Sequence, residues 1–267
     1  MDARWTRVTS GAPASGLGQH FLRSRVAAEV ARDADLSPQD HVLEIGAGTG
    51  NLTHELVKRC GHVVALELDP RLAASLRRRF AEESAVEVVL GDARSCSLPQ
   101  RPFRVIGNIP FGIATALMRR LLDDESSQLT RADLVVQWEA ARKRAAPLPS
   151  NVLSLAWGPW WTFDLGRRIN SASFRPRPRV DGGVLVVRRR DPALVRSVDR
   201  DTYVRFLRTT FHRANEPMPR ALETVADRTS ARRVLSEAGV AFRSRPGDLA
   251  VEDWVRLFTR ARARGLV

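Results

Sequence analysis

Short apolar runs punctuate the first two-thirds of the chain, with helical patterns between them. HVLEI (41–45), HVVALEL (62–68), VEVVL (86–90), FRVIG (103–107) and DLVVQW (133–138) each have the length and composition of a strand. A Gly-rich turn and the helical LTHELVKR follow the first run. PRLAASLRRRFAEE, with Pro70 in its first turn, follows the second. Strands alternating with helices predict an α/β fold built on a parallel, doubly wound sheet.

After Asn151 the pattern changes. WWTFDLGRRI (160–169) and GGVLVVRRR (182–190) read as strands with no helix between them, and Pro176 and Pro178 keep the linking SFRPRPRVD extended. An antiparallel pair at a sheet edge is the simplest placement. From Asp191 onward only helical spacing survives, in TYVRFLRTTFHRA, PRALETVADR, ARRVLSEAG and VEDWVRLFTRARAR. The expected organisation is a flexible basic arm over 1–16, an α/β domain over 17–190 and a small all-α domain over 191–267.

Composition sharpens this. With 43% hydrophobic residues in 267, the chain can bury a core. No stretch reaches the length of a membrane span, and MDARWTRVTSGAPASG has no apolar segment of the kind a signal peptide needs. Cys60 and Cys96 lack metal-ligand spacing and form no disulfide framework, which predicts a reducing cytoplasm. His54, His62 and His212 have no Cys or carboxylate partner at ligand spacing, so no metal is expected. Trp157, Trp160 and Trp161 read as core.

Charge points to the partner. Net charge is +13, and 41 of the 43 basic residues are arginine, Lys58 and Lys143 being the exceptions. A GC-rich genome explains arginine over lysine but not base over acid. Such an excess suits a polyanion, since each neutralised phosphate releases counterions.

The candidate chemistry lies at the ends of the predicted strands. In VLEIGAGTGNLT, glycines 46, 48 and 50 let the backbone turn sharply and approach a ligand. A dinucleotide fingerprint wants glycine at 51, where this chain has Asn51. The G-x-G-x-G spacing, with Glu44 ahead of it, fits an adenosyl group without pyrophosphate. Glu67 ends the second strand where a carboxylate could take ribose hydroxyls, and Asp92, next to Ala93 in GDAR, could accept from an adenine amino group. Asn108, Ile109, Pro110 and Phe111 end the fourth strand with an amide, a fixed carbonyl and an aromatic ring.

Taken in order, these features resemble the class I methyltransferases that use S-adenosylmethionine, whose fold is Rossmann-like. The Asn-Ile-Pro-Phe element is similar to those of enzymes that methylate exocyclic amino nitrogens. GQHFL (18–22), EIGAGTGNLT, ALELD, GDAR, GNIPF, QWEAARK and FRPRPRVDGGVLVV together resemble the rRNA adenine N6-methyltransferases, the superfamily of the Erm and KsgA-like enzymes. Ile109 and Phe111, with Gln137-Trp138-Glu139, favour the Erm branch.

The resemblance implies methylation of N6 of one adenine in 23S rRNA and resistance to macrolides, lincosamides and streptogramin B. The alternative is KsgA-like dimethylation of 16S rRNA. It implies that Gln19, His20 and Leu22 lie over the cofactor, His20 standing where the family has Asn. It further implies that Gly46 and Gly48 lie against the methionine part with Glu44 nearby, Glu67 on the ribose, Asp92 and Ala93 at the adenine, and Asn108 beside the reacting methyl. A monomer is expected. Candidate RNA contacts are Arg4, Arg7, Arg23, Arg25, Arg119, Arg120, Arg142, Lys143 and Arg144.

Overall fold

The computed structural model describes residues 19–124, 126–148 and 151–267. The basic arm expected over 1–16, with Arg4 and Arg7, lies outside the described residues. The described chain forms two compact units: one runs up to residue 142 and adds 164–188, and the other joins 143–163 to 189–267.

The first unit carries the sheet. A two-residue strand β1 (Phe21–Leu22) leads into α1 (Ser24–Asp33). Then come β2 (His41–Ile45), α2 (Asn51–Leu56), β3 (His62–Glu67), α3 (Pro70–Arg79), β4 (Val86–Leu90), β5 (Phe103–Asn108), α4 (Ala114–Leu122), β6 (Leu129–Gln137) and α5 (Trp138–Arg144). After α6 (Val152–Trp157) follow β7 (Trp161–Ile169), β8 (Phe174–Arg175) and β9 (Gly182–Arg189). Seven of these strands make one sheet in the order β4-β3-β2-β5-β6-β9-β7.

Strands β2 to β6 pair in parallel, and β9 pairs antiparallel with β6, so the five apolar runs and the antiparallel end of the sheet fall where the pattern placed them. The strand order reverses between β2 and β5. In an open α/β sheet that switch point opens a crevice at the carboxyl ends of the strands, where ligands bind. Buried aliphatic residues, among them Ala27, Val30 and Ala31 of α1, Leu52 and Leu56 of α2, and Val42, Val63 and Ile106 of the strands, form the core beneath it.

One pairing escapes any periodicity. β1 joins β8 antiparallel, Phe21 opposite Arg175 and Leu22 opposite Phe174, as a separate two-stranded ribbon. This ties the N-terminal segment to the Pro-rich loop that precedes β9.

In the second unit, α7 (Arg200–Phe211), α8 (Met218–Leu222), α9 (Arg228–Ala238) and α10 (Val251–Ala263) make the expected helical body. Residues 143–163 group with it rather than with the sheet unit. The reason is packing. The Tyr203 hydroxyl of α7 donates to the Leu155 carbonyl at 3.1 Å, and the Trp160 ring meets Tyr203 edge-on with centroids 5.7 Å apart. Trp157, Trp160 and Trp161 are all buried, as core residues should be. Among the described residues no helix is long and apolar enough to cross a membrane.

Candidate active site

One cavity lies at the switch point, and its walls come from the ends of β2, β3, β4 and β5 together with the β1 segment and Phe174. Its floor is the turn after β2. Gly46, Gly48 and Gly50 have φ of 73°, 57° and 79°, a region costly for any side chain, which is why the sequence repeats glycine there. A Cβ at Gly48 would stand 2.7 Å from the Phe21 ring, so the missing side chain lets the β1 segment close over the turn.

Glu67 is set before any ligand arrives. Its Oε2 accepts from the Gly48 N–H at 2.7 Å, and its Oε1 accepts from Leu68 and Asp69 at 2.9 and 2.8 Å. A carboxylate offers about four acceptor directions, so capacity remains on Oε2. Ile45, Leu66, Leu68 and Ala93 give the cavity apolar surface between its acceptors. Asp92 also lines the cavity, gripped by Arg94, whose Nη2 and Nε donate to Oδ2 at 2.6 and 3.0 Å. The Arg94 guanidinium holds the Asp92 carboxyl below the usual carboxylate range.

At the end of β5, the Asn108 amide nitrogen donates to the His20 carbonyl. A carbonyl can only accept, so the amide is oriented with Oδ1 as the free end. Ile109 donates its N–H to the Val135 carbonyl at 3.0 Å, which fixes its peptide. The Pro110 carbonyl accepts from Ile113 at 3.0 Å inside a short 3₁₀ turn. Among the described residues the Ile109 carbonyl accepts no backbone N–H outside regular elements, so Ile109 offers the more open of the two carbonyls. Phe111 is half-buried on the cavity wall.

Of the predicted site residues, Gln19, His20, Gly46, Gly48, Glu67, Asp92, Ala93 and the four residues Asn108–Phe111 all line this cavity. Two do not. Glu44 faces a small neighbouring recess, 1% exposed, and accepts from the Thr53 hydroxyl at 2.6 Å. Burial, the dominant cause, pushes its pKa up to about 8, so it is a neutral carboxylic acid inside the fold. Leu22 is 5% exposed and turns into the core beside that recess. Its carbonyl accepts from the Asn51 side chain at 2.9 Å, so Asn51 anchors β1 to the Gly-rich turn.

Phe21 and Phe174 are cavity residues that were not singled out individually, although both stand in quoted motifs. They come together because β1 pairs with the remote β8, Phe21 opposite Arg175 and Leu22 opposite Phe174.

The arginine candidates separate. Arg23, Arg25, Arg119, Arg142 and Lys143 are exposed, and Arg142 pairs with Glu139 at 2.9 Å. Arg120 is half-buried and donates to the Cys96 carbonyl at 2.9 Å. Arg144 turns inward. It donates to the Asn151 side chain at 2.7 Å and lies over the Trp157 ring at 5.2 Å.

A cavity at the switch point, a glycine floor without Cβ atoms, and two oriented carboxylates fit an adenosyl ligand. The chain belongs to the ribosomal RNA adenine dimethylase family, whose sequence model matches residues 14–263. Within the family its likeness is to the Erm type. It is 40% identical over 172 residues to an rRNA adenine N-6-methyltransferase of Corynebacterium diphtheriae, covering 64% of this chain and 67% of that one. Over 250 residues it is 36% identical to the mycinamicin-resistance protein MyrB of Micromonospora griseorubida, covering 93% of this chain and 79% of MyrB. The crystal structure of the 23S rRNA methyltransferase ErmE superposes with a TM-score of 0.81 at 32% identity, over 90% of this chain and 98% of ErmE. The protein is an S-adenosylmethionine-dependent rRNA adenine N6-methyltransferase.

Proposed function

We propose that this enzyme methylates N6 of a single adenine in 23S rRNA, with one or two methyl groups, and thereby confers resistance to macrolides, lincosamides and streptogramin B. The observation that carries the choice of rRNA is the likeness to ErmE over nearly the whole of both chains, supported by the resistance named for MyrB. An added methyl removes an N–H donor and adds bulk where a drug must fit. The enzyme acts as a monomer, in the cytoplasm where its rRNA is made.

The adenine amino nitrogen is a poor nucleophile because its lone pair is delocalised into the ring. Asn108 Oδ1 and the Ile109 carbonyl accept its two N–H groups and draw the nitrogen toward tetrahedral geometry, which frees the lone pair. The Pro110 ring, with φ of −54°, fixes the peptide that carries the Ile109 carbonyl. Phe111 stacks on the base once it has left its helix. S-adenosylmethionine, when bound, supplies an electrophilic sulfonium methyl. Glu67 takes the ribose, Asp92 and Ala93 the adenine edge of the ligand, and Gly46 and Gly48 admit the methionine portion. The rate gain comes from positioning and preset acceptors.

The test is methyl incorporation from labelled S-adenosylmethionine into protein-free 23S rRNA and into 16S rRNA within small subunits, followed by primer extension. The expected result is a stop at one adenine of 23S rRNA that Asn108→Ala abolishes. Label confined to 16S rRNA would overturn the choice of substrate.

A further inference from the structure

The ribbon of β1 and β8 carries arginines as well as its two phenylalanines. Residues directly opposite each other in an antiparallel pair share a face, so Arg175 stands on the face that Phe21 turns toward the cavity. Arg23 follows two positions after Phe21 on extended backbone, with φ of −67° and ψ of 149°, and its N–H donates to the Ser173 carbonyl at 2.9 Å. Alternation along an extended chain returns it to that same face. Past Arg175, Pro176 brings no N–H to the ladder, and the chain leaves the ribbon through Arg177, Pro178 and Arg179.

This loop is held in place. The Pro176 carbonyl accepts from His20 Nδ1 at 2.8 Å, Arg177 Nε donates to Ser171 Oγ at 2.9 Å, and Pro178 is buried. Arg23, Arg175 and Arg179 are exposed, and among the described residues none of the three has a carboxylate in ion-pair reach. The acids near them in sequence are engaged elsewhere, Glu29 with Arg25 and Arg167, and Asp181 with Arg168. Arginines on a fixed backbone with no acid beside them suit phosphate, whose oxygens the planar guanidinium takes two at a time.

We propose that this ribbon is a phosphate grip for rRNA: Arg23 and Arg175, with Arg179 farther along the loop, bind backbone phosphates of the strand that carries the target adenine, beside the mouth of the cavity. A base that leaves its helix turns about its own backbone, so the phosphates next to it must be held if its amino group is to stay on Asn108 and Ile109. Phosphate contacts set register without reading sequence. Here register passes through two bonds, because His20, which holds the loop at Pro176, also gives its carbonyl to the Asn108 amide. The inference rests on the reading that the target adenine enters this cavity.

The test uses the full-length enzyme and a 23S rRNA fragment holding the adenine located by primer extension, with binding titrated over a series of KCl concentrations. Arg23→Ala and Arg175→Ala should each raise the RNA KM about tenfold. Each should lower the slope of log affinity against log salt by about one, and the two together by about two. S-adenosylhomocysteine affinity and the melting temperature should stay as in the wild-type chain. Arg175→Lys keeps the charge and should recover the slope. Arg71→Ala removes an arginine that Asp69 already holds at 3.2 Å, and should leave slope and KM unaltered.

Methylation of 23S rRNA with an unchanged slope in the doubly substituted enzyme overturns the inference alone. So does an equal loss in Arg71→Ala, which would mean that total charge is at work. Label confined to 16S rRNA overturns the choice of substrate, and the same titration on the 16S fragment then decides the inference. A wild-type enzyme that methylates no rRNA adenine overturns the functional reading and this inference with it.

Discussion

The two ends of the parallel sheet hold their charges in opposite ways. At the amino ends, Arg104 of β5 reaches Asp40 at 2.9 Å and Asp133 at 3.7 Å, while Arg131 of β6 holds Asp133 at 2.7 Å. The Arg104 guanidinium also donates to the carbonyls of Ala34 and Asp35, just past the end of α1. Acid and base there answer each other. At the carboxyl ends, Glu67 is held by three backbone N–H groups, Asn108 by one carbonyl, and Asp92 by a guanidinium at the rim, and each keeps acceptor capacity toward the cavity. One end is closed by ion pairs and carries stability. The other is oriented but left incomplete, and a ligand completes it.

That contrast can be broken from either side. Asn108→Ala removes an acceptor of the reacting amino group and should lower kcat by about 10²–10³-fold, with S-adenosylhomocysteine binding and the melting temperature little changed. Single-turnover methyl transfer measures it. A fall in melting temperature as large as the loss of rate would mean that the open end is structural after all.

Arg104→Ala does the reverse. It takes the guanidinium away from Asp40 and from the Ala34 and Asp35 carbonyls while Arg131 still holds Asp133, and should cost about 3 kcal/mol of stability, read by urea denaturation, with kcat at 25 °C unchanged. Glu67→Gln replaces a carboxylate that accepts three backbone N–H bonds with an amide that accepts fewer. It should weaken S-adenosylhomocysteine binding by about tenfold or more, measured by calorimetry.

Glu44 sharpens the comparison, being an acid at the open end that faces away from the cavity. Its pKa rises from 4.5 to about 8 in the fold, so between those values it is protonated in the fold and ionised in the unfolded chain. Unfolding then releases a proton, and stability from this group falls as pH rises, by at most about 1.4 kcal/mol per unit. Glu44→Gln should remove that slope and leave the protein more stable than wild type at pH 8, as denaturation at several pH values would show. The smallest effect concerns the exposed arginines. Arg23→Ala or Arg119→Ala should each reduce the slope of log RNA affinity against log salt by about one if the residue meets a phosphate, and by nothing if it does not.

What could be read without the structure followed length scale. Five parallel strands announce themselves as short, apolar-rich runs of five to seven residues, and the glycines, Glu67, Asp92 and Asn108 fall at or just after their ends by simple counting. Glu44 sits in a local motif, whereas its place is set by a buried strand and by Thr53, nine positions on. The β1–β8 ribbon has two residues per strand, too few for any period, and its partners are remote. Arg144 shared a basic cluster with two exposed neighbours, and nothing in the composition says that Trp157 and Asn151 await it. Helices α5 and α6, seven and six residues long, are shorter than the window in which amphipathic spacing can be recognised.

The ribbon also sets a clock on synthesis. His20 and Pro176, which join it to the cavity wall, stand 156 positions apart. A chain growing at 5–20 residues per second needs about 8–30 s to span that interval, and the exit tunnel delays the second partner further. Strands β2 to β5 can be complete long before the cover over their carboxyl ends has its second half. The growing enzyme therefore acquires its first parallel strands early and its closed pocket late, and the ribosome that makes it is well into the message before the new chain can act on rRNA.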